Sequence, residues 1–413
     1  MTAPSEERSI ELAAISSDVE SRLDALTASI VSLAEINSGS FHPAGVDRVG
    51  TRLAEIVNNL RPDTIEHLPV PDAKVMSPGG EVRTAAIGDA LRIRNRPDAP
   101  FQVCLFGHLD TVFPVDHEFQ SVEVDGWHLA GPGVADCKGG LVLATEVARA
   151  VDRAPWGGDV GWEMLVVPDE EIGSNSSKPL LHEAAGRCDL GIGFEPSLPS
   201  GGVAGARKGS LTAHTIVHGL AAHAGRAHHE GRSAILGLAN LIIELEALNE
   251  HPGVTVNTGR ITGGGALNVV PDLAVASYNM RIVDAEAQQW VEQRFTEAVA
   301  ASPLDVELTW TGARPPKVRT ATLDLMLSDV AQIAQSVGLT IAAEDTGGCC
   351  DGNDLAAAGL PNVDSLGIVG GGIHSTAEFA DASSLPKRVA VIVEVIRRAH
   401  ERATASGSQS SAR

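Results

Sequence analysis

A chain of 413 residues, 43% hydrophobic and 20% charged, has the composition of a globular protein of two or three domains with a large core. Its 53 acidic and 31 basic residues give a formal charge of −22, which repels polyphosphate backbones and anionic lipid and argues against nucleic acid or membrane as partners. No uninterrupted apolar run is long enough to span a membrane, residues 1–8 lack a basic-then-apolar signal pattern, and the irregularly spaced cysteines fit reduced thiols, so a cytoplasmic location is expected.

Residues 8–37 and 43–60 carry the periodicity of amphipathic helices, with Ile30, Leu33, Ala34 and Ile36 on one face. The apolar run 101–107 ends at His108, and a helical pattern over 138–153 follows Asp136. Two more apolar runs, 162–167 and 190–194, end at Asp169-Glu170-Glu171 and at Glu195. Strands alternating with helices predict an α/β sheet covered on both faces, and ligands of such sheets gather outside the carboxyl ends of the strands. The pattern changes near Arg207. A half-exposed strand at 210–218, a helix at 231–248, strands at 253–261 and 273–282, a helix at 284–300 and a strand at 304–311 follow. This β-α-β-β-α-β order fits a ferredoxin-like unit, with Gly312-Ala-Arg-Pro-Pro as its exit linker. The expected organisation is a catalytic domain formed by 1–207 and 315–403, an inserted domain at 208–314, and a disordered tail at 404–413.

Five acid or imidazole positions follow these runs or close the chain's last section: His108, Asp136, Glu171, Glu195 and His374. They suit two divalent ions, with His108 and Glu195 on one, Glu171 and His374 on the other, and Asp136 bridging. A donor set without thiolate suits zinc, with cobalt or manganese as substitutes. Glu170 then stays free to take a proton from the attacking water and deliver it to the leaving amine, and Asp110 is placed to orient the His108 imidazole. Taken singly, each position has a plainer account: the acidic triplet fits a solvated turn, and a lone His after a strand is usually structural. Their conjunction in this order shifts the balance.

The segments G-H-L-D-T-V at 107–112, G-P-G-V-A-D-C-K-G-G at 131–140, D-E-E-I-G-S at 169–174, F-E-P at 194–196 and the C-terminal G-G-I-H-S-T-A-E-F-A-D carry a resemblance. The chain resembles the dizinc aminoacylase/carboxypeptidase superfamily over about residues 25–400, and bacterial glutamate carboxypeptidase most of all. The resemblance implies a mixed-sheet α/β metallohydrolase with an inserted ferredoxin-like lid and dimerisation domain, two metal ions, the ligand roles given above, and Glu170 as general base. It adds His223 in G-L-A-A-H-A-G as an oxyanion-stabilising residue that often serves the partner subunit's site, so a homodimer is implied. It also adds Asn268 in A-L-N-V-V-P near the substrate and Arg281 in Y-N-M-R-I as the clamp of a substrate carboxylate. The implied reaction cleaves the amide or peptide bond of an N-acyl amino acid, a folyl-glutamate-like compound or a small peptide with a free carboxylate.

His214, His218, His228 and His229 are expected on the surface, and Arg207-Lys208-Gly209 as either a substrate contact or a solvated turn. Cys137, Cys349 and Cys350 stand where relatives carry other residues; buried thiols are the favoured account, though the loop around Cys349 and Cys350 faces the substrate in this superfamily. Two alternatives remain. One is a deaminase or decarbamoylase of a small carboxylated compound; the other is a non-catalytic binding homologue, against which the intact Glu170 counts.

Overall fold

The structure is a computed structural model that describes residues 6–410. Its central sheet has six strands in the order Thr64–Leu68, Ala90–Asn95, Val160–Val167, Phe101–His108, Leu190–Gly193, Asn362–Val363. The first two pairings are antiparallel and the rest parallel, so the sheet is mixed. Alternation along the strands fills both faces. Val103, Leu105, Met164 and Val166 join one core with Leu141, Val330 and Ile392, while Phe106, Leu165 and Val167 join another with Leu181 and Leu355. Strands buried on both sides must read as near-continuous apolar runs, which is why 101–107 and 162–167 stand out in the sequence.

Three local expectations change. The helix expected over 8–37 is two helices, Glu6–Glu20 and Leu23–Ala34. The chain turns between them, where Ser21 Oγ donates to the Asp18 carbonyl and Arg22 leaves the helix to pair with buried Glu146. The C-terminal helix Leu385–Ser410 takes in residues 404–410, which composition alone assigns to a disordered tail. Val389, Ile392, Val393 and Ile396 anchor that helix in the core, and Thr404 Oγ1 satisfies the His400 carbonyl at 3.0 Å. The remaining tail residues, 411–413, lie outside the described part. Gly312–Arg314, expected as linker, belongs to the strand Asp305–Arg314, with Arg314 paired to Ser210.

The inserted unit is a four-stranded antiparallel sheet in the order Val254–Gly263, Leu273–Ile282, Gly209–His218, Asp305–Arg314, backed by helices Ala234–Glu246 and Ala285–Ala301. Leu211, Ala213, Tyr278 and Met280 pack under those helices. The intervening residues Ser210, Thr212, His214, Asn279 and Arg281 therefore point the other way, into a cavity facing the acidic triplet. A hairpin of the first segment, Ala73–Met76 with Val82–Ala85, reaches across to this sheet. Its Met76 packs on Ile216 and Val275, and its Pro78 carbonyl accepts from Thr262 Oγ1 at 3.0 Å.

Candidate metal centre and substrate pocket

Parallel pairing brings three strand ends to one edge. His108 lies opposite Val167, and Phe106 opposite Gly193, so His108, the acidic triplet and Glu195 emerge side by side. Asp136 enters from the turn before helix Gly140–Arg153. Glu378 holds that turn through backbone N–H groups of Gly133, Ala135 and Asp136 at 3.0 to 3.1 Å. His374 comes from the loop between Val369–Gly371 and Phe379–Asp381, in a left-handed conformation with φ 61°.

The five expected positions meet. Asp136 lies between two imidazoles, Oδ1 at 3.0 Å from His108 Nε2 and Oδ2 at 3.3 Å from His374 Nε2. His374 Nε2 is also 3.2 Å from Glu171 Oε2, and His108 Nε2 is 3.8 Å from Glu195 Oε1. Donor atoms of His108, Asp136 and Glu171 all fall within 4.8 Å of one another. Three carboxylates crowd two imidazoles in this cluster. Burial pushes the Glu171 carboxyl up to about 8 and raises Glu195 well above the carboxylate range, while hydrogen bonds to Asp136 and Glu171 push His374 up to about 10. Glu195 Oε1 is buried without a hydrogen-bond partner in the protein. An orphaned carboxylate oxygen beside two imidazoles and two further carboxylates fits divalent cations.

Asp110 does more than its spacing implied. The Nδ1 of His108 is 2.9 Å from the Asp110 backbone carbonyl and 3.4 Å from its carboxylate Oδ1. That carboxylate accepts from the backbone N–H groups of Glu170 and Glu171 at 3.1 and 3.2 Å and from Ser40 Oγ at 2.6 Å. One side chain thus ties the His108 strand end to the acidic turn. Asp169 closes the turn by accepting from Ser176 N–H at 2.9 Å and from Ser177 Oγ.

Glu170 stands outside the ligand cluster but is not free. Its Oε1 is 2.5 Å from Arg314 Nη1. Arg314 is buried and also donates to Ser174 Oγ at 2.6 Å, Asp351 Oδ1 at 3.1 Å and Asp354 Oδ2 at 3.2 Å. The sequence reading missed this residue by treating its segment as linker. An arginine closing an alternating strand just before Pro315-Pro316 was the available signal.

Family model and coverage decide the identity. The model of peptidase family M20/M25/M40 matches residues 104–398. The chain belongs to the peptidase family M20/M25/M40. It is a metallo-hydrolase of that family. It is 28% identical over 306 residues to carboxypeptidase G2 of Pseudomonas sp., covering 71% of this chain and 72% of that protein. It is also 28% identical over 351 residues to succinyl-diaminopimelate desuccinylase of Bordetella petrii, covering 79% and 90%. The fold matches the M20 family metallo-carboxypeptidase Sso-CP2 from Sulfolobus solfataricus with TM-score 0.71 at 16% identity, over 90% of this chain and 98% of that one. Human carnosine dipeptidase 1 gives TM-score 0.67 at 12% identity, over 94% and 100%.

Within this M20/M25/M40 chain the other expected residues divide. Arg281 lines the cavity, which measures about 470 Å³, and donates to Cys349 Sγ at 2.8 Å. His223 and Asn268 sit together on an exposed part of the inserted unit, where the Ala224 N–H donates to the Asn268 carbonyl. Neither lines the cavity of their own chain. His214, expected on the surface, is buried: it faces the cavity side of its strand, held by Ser277 Oγ at 2.9 Å and Thr311 Oγ1 at 2.8 Å. Arg207 is neither solvated nor at the substrate, because Asp364 and Ser365 enclose its guanidinium at 2.7 and 2.9 Å. Cys137 and Cys350 are buried, whereas half-buried Cys349 faces the cavity.

Proposed function

We propose that this protein hydrolyses the amide or peptide bond of an N-acyl amino acid, folyl-glutamate-like compound or small peptide that carries a free carboxylate. The observation that carries the reading is the Asp136 carboxylate spanning two imidazoles, with oxygens 3.0 and 3.3 Å from His108 and His374. His108, Asp136 and Glu195 would hold one divalent ion, and Asp136, Glu171 and His374 the other, with zinc favoured by the N/O donor set. When bound, these ions supply Lewis-acid polarisation of the carbonyl and acidify water. Asp110 fixes the His108 ring and the backbone of the acidic turn. Glu170 takes the proton from the attacking water and passes it to the leaving amine, its carboxylate aimed by Arg314. Arg281 clamps the substrate carboxylate from the lid side of the cavity.

His223 and Asn268 complete the site from a second copy in a homodimer. Leu236, Ile243, Ile261 and Leu267 support this, since all four are exposed apolar residues of the inserted unit. Ile243→Glu should shift the protein toward monomer in sedimentation velocity and lower turnover with it. A variant that turns monomeric and stays fully active would remove the partner role of His223. Five free thiols support a reducing, cytoplasmic setting.

The deciding experiment is a hydrolysis panel of N-acyl amino acids and dipeptides with added zinc, cobalt or manganese. Release of free amino acid supports the reading, whereas release of ammonia alone would point to a deaminase and sink it. Arg281→Ala should raise KM about 10-fold or more with a smaller change in kcat, because the carboxylate contact exists before the transition state. An unchanged KM for an acidic substrate would sink the clamp.

A further inference from the structure

The cavity carries more positive charge than one carboxylate needs. Arg281, Arg260 and Lys74 all line it. Among the described residues none of the three has a carboxylate partner, although the chain holds 53 acidic and 31 basic residues. Arg281 donates only to Cys349 Sγ, and Arg260 only to the Met76 carbonyl at 2.8 Å. In so acidic a protein, cations left unpaired around one cavity mark a place where charge is supplied by something else.

Strand register separates them into two positions. Arg281 lies opposite Ser210, whereas Arg260 lies opposite Ser277, four residues back along the same central strand. At about 3.3 Å per residue that is roughly 13 Å of backbone. Lys74 comes from the opposite side, on the hairpin whose Met76 carbonyl holds Arg260. Arg260 and Lys74 therefore face one end of the cavity from two parts of the chain, and Arg281 faces another. His214, across the central strand at the same Ser277, is a neutral wall level with Arg260: both ring nitrogens are engaged, and burial, with the Arg260 charge, holds it down at about 4.

We propose that Arg260 and Lys74 form a second anion subsite, which reads a carboxylate on the acyl side of the substrate while Arg281 holds the amino-acid carboxylate. The substrate is then an elongated dianion, an N-acyl amino acid whose acyl chain ends in its own carboxylate. A second carboxylate on the amino-acid side chain lies too close to the first to span the two positions. The guanidinium fork of Arg260 suits a planar carboxylate, and Lys74 adds a point charge. Because Lys74 and Arg260 sit on the hairpin and the inserted sheet, an anion between them also draws those two elements together.

This rests on the reading of the site as an amide hydrolase, and the test separates the two. Binding of N-adipoyl-L-alanine and N-hexanoyl-L-alanine to zinc-loaded Glu170→Gln protein is measured by calorimetry, and hydrolysis of both by the parent protein in parallel. The diacid should bind about 10-fold or more tightly than the monoacid of equal length. Arg260→Met and Lys74→Met, both at exposed positions, should each reduce that ratio, and the double variant should bring it close to one. Thr262→Val removes the other hydrogen bond between the hairpin and the inserted sheet without touching charge and should leave the ratio as it is. Equal affinities in the parent protein, an unchanged ratio in the double variant, or an equal loss in Thr262→Val would each overturn the subsite. Tight diacid binding without hydrolysis of either compound would leave the subsite standing and remove the amide-hydrolase reading.

Discussion

Glu170→Gln should keep its metal and lose turnover by about 10²- to 10⁴-fold, the usual worth of a positioned proton carrier. The amide matches the carboxylate in shape and can still accept from Arg314, whose Nη1 sits 2.5 Å from Oε1, so the acidic turn keeps its place. Glutamine cannot accept a proton from water at neutral pH. Glu171→Gln tests the other half of the pair. Its Oε2 lies 3.2 Å from His374 Nε2 inside the donor cluster, so the expected loss there is of bound metal as well as rate. Metal content by mass spectrometry and single-turnover rates on both variants check the division. Near-normal hydrolysis by Glu170→Gln, or equal metal loss in the two, would remove it.

Arg314→Met should destabilise the protein by about 3–5 kcal/mol, because it leaves buried carboxylates without their counter-charge. The guanidinium reaches Glu170, Asp351 and Asp354 at once, from the last residue of a strand of the inserted sheet. Burial pushes Asp351 up to about 8 even beside the Arg314 guanidinium, and removing that charge would raise it further. Arg314→Lys should recover only part of the loss, since a single nitrogen cannot stand at the three places from which Nε, Nη1 and Nη2 donate. Urea denaturation measures both variants. A change below about 1 kcal/mol in Arg314→Met would show the network to be incidental.

His108, Asp136, Glu171, Glu195 and His374 were legible because each sits beside a strong local signal: the end of an apolar run, a Gly-Pro-Gly turn, or a glycine-rich loop. The ferredoxin-like order was legible from period-2 alternation over strands such as Leu273–Ile282. Arg314, Glu378 and His214 were not. Each acts through a partner far away in the chain, at Glu170, at the Asp136 turn and at Thr311. Sequence periodicity reports which face of an element is apolar, but it is silent on which buried polar group meets which.

The sequence by itself thus determined the sheet, the inserted unit and the positions of the five residues proposed to hold metal, since hydrophobic period and turn chemistry are local properties of the chain. Only the tertiary structure decided that Glu170 is held by an arginine from the inserted sheet, that Asp110 binds the backbone of the acidic turn, and that three unpaired cations share one cavity. Those facts depend on distances between segments about sixty or more residues apart. They follow from how strand ends and domains pack together, which no window of the sequence encodes.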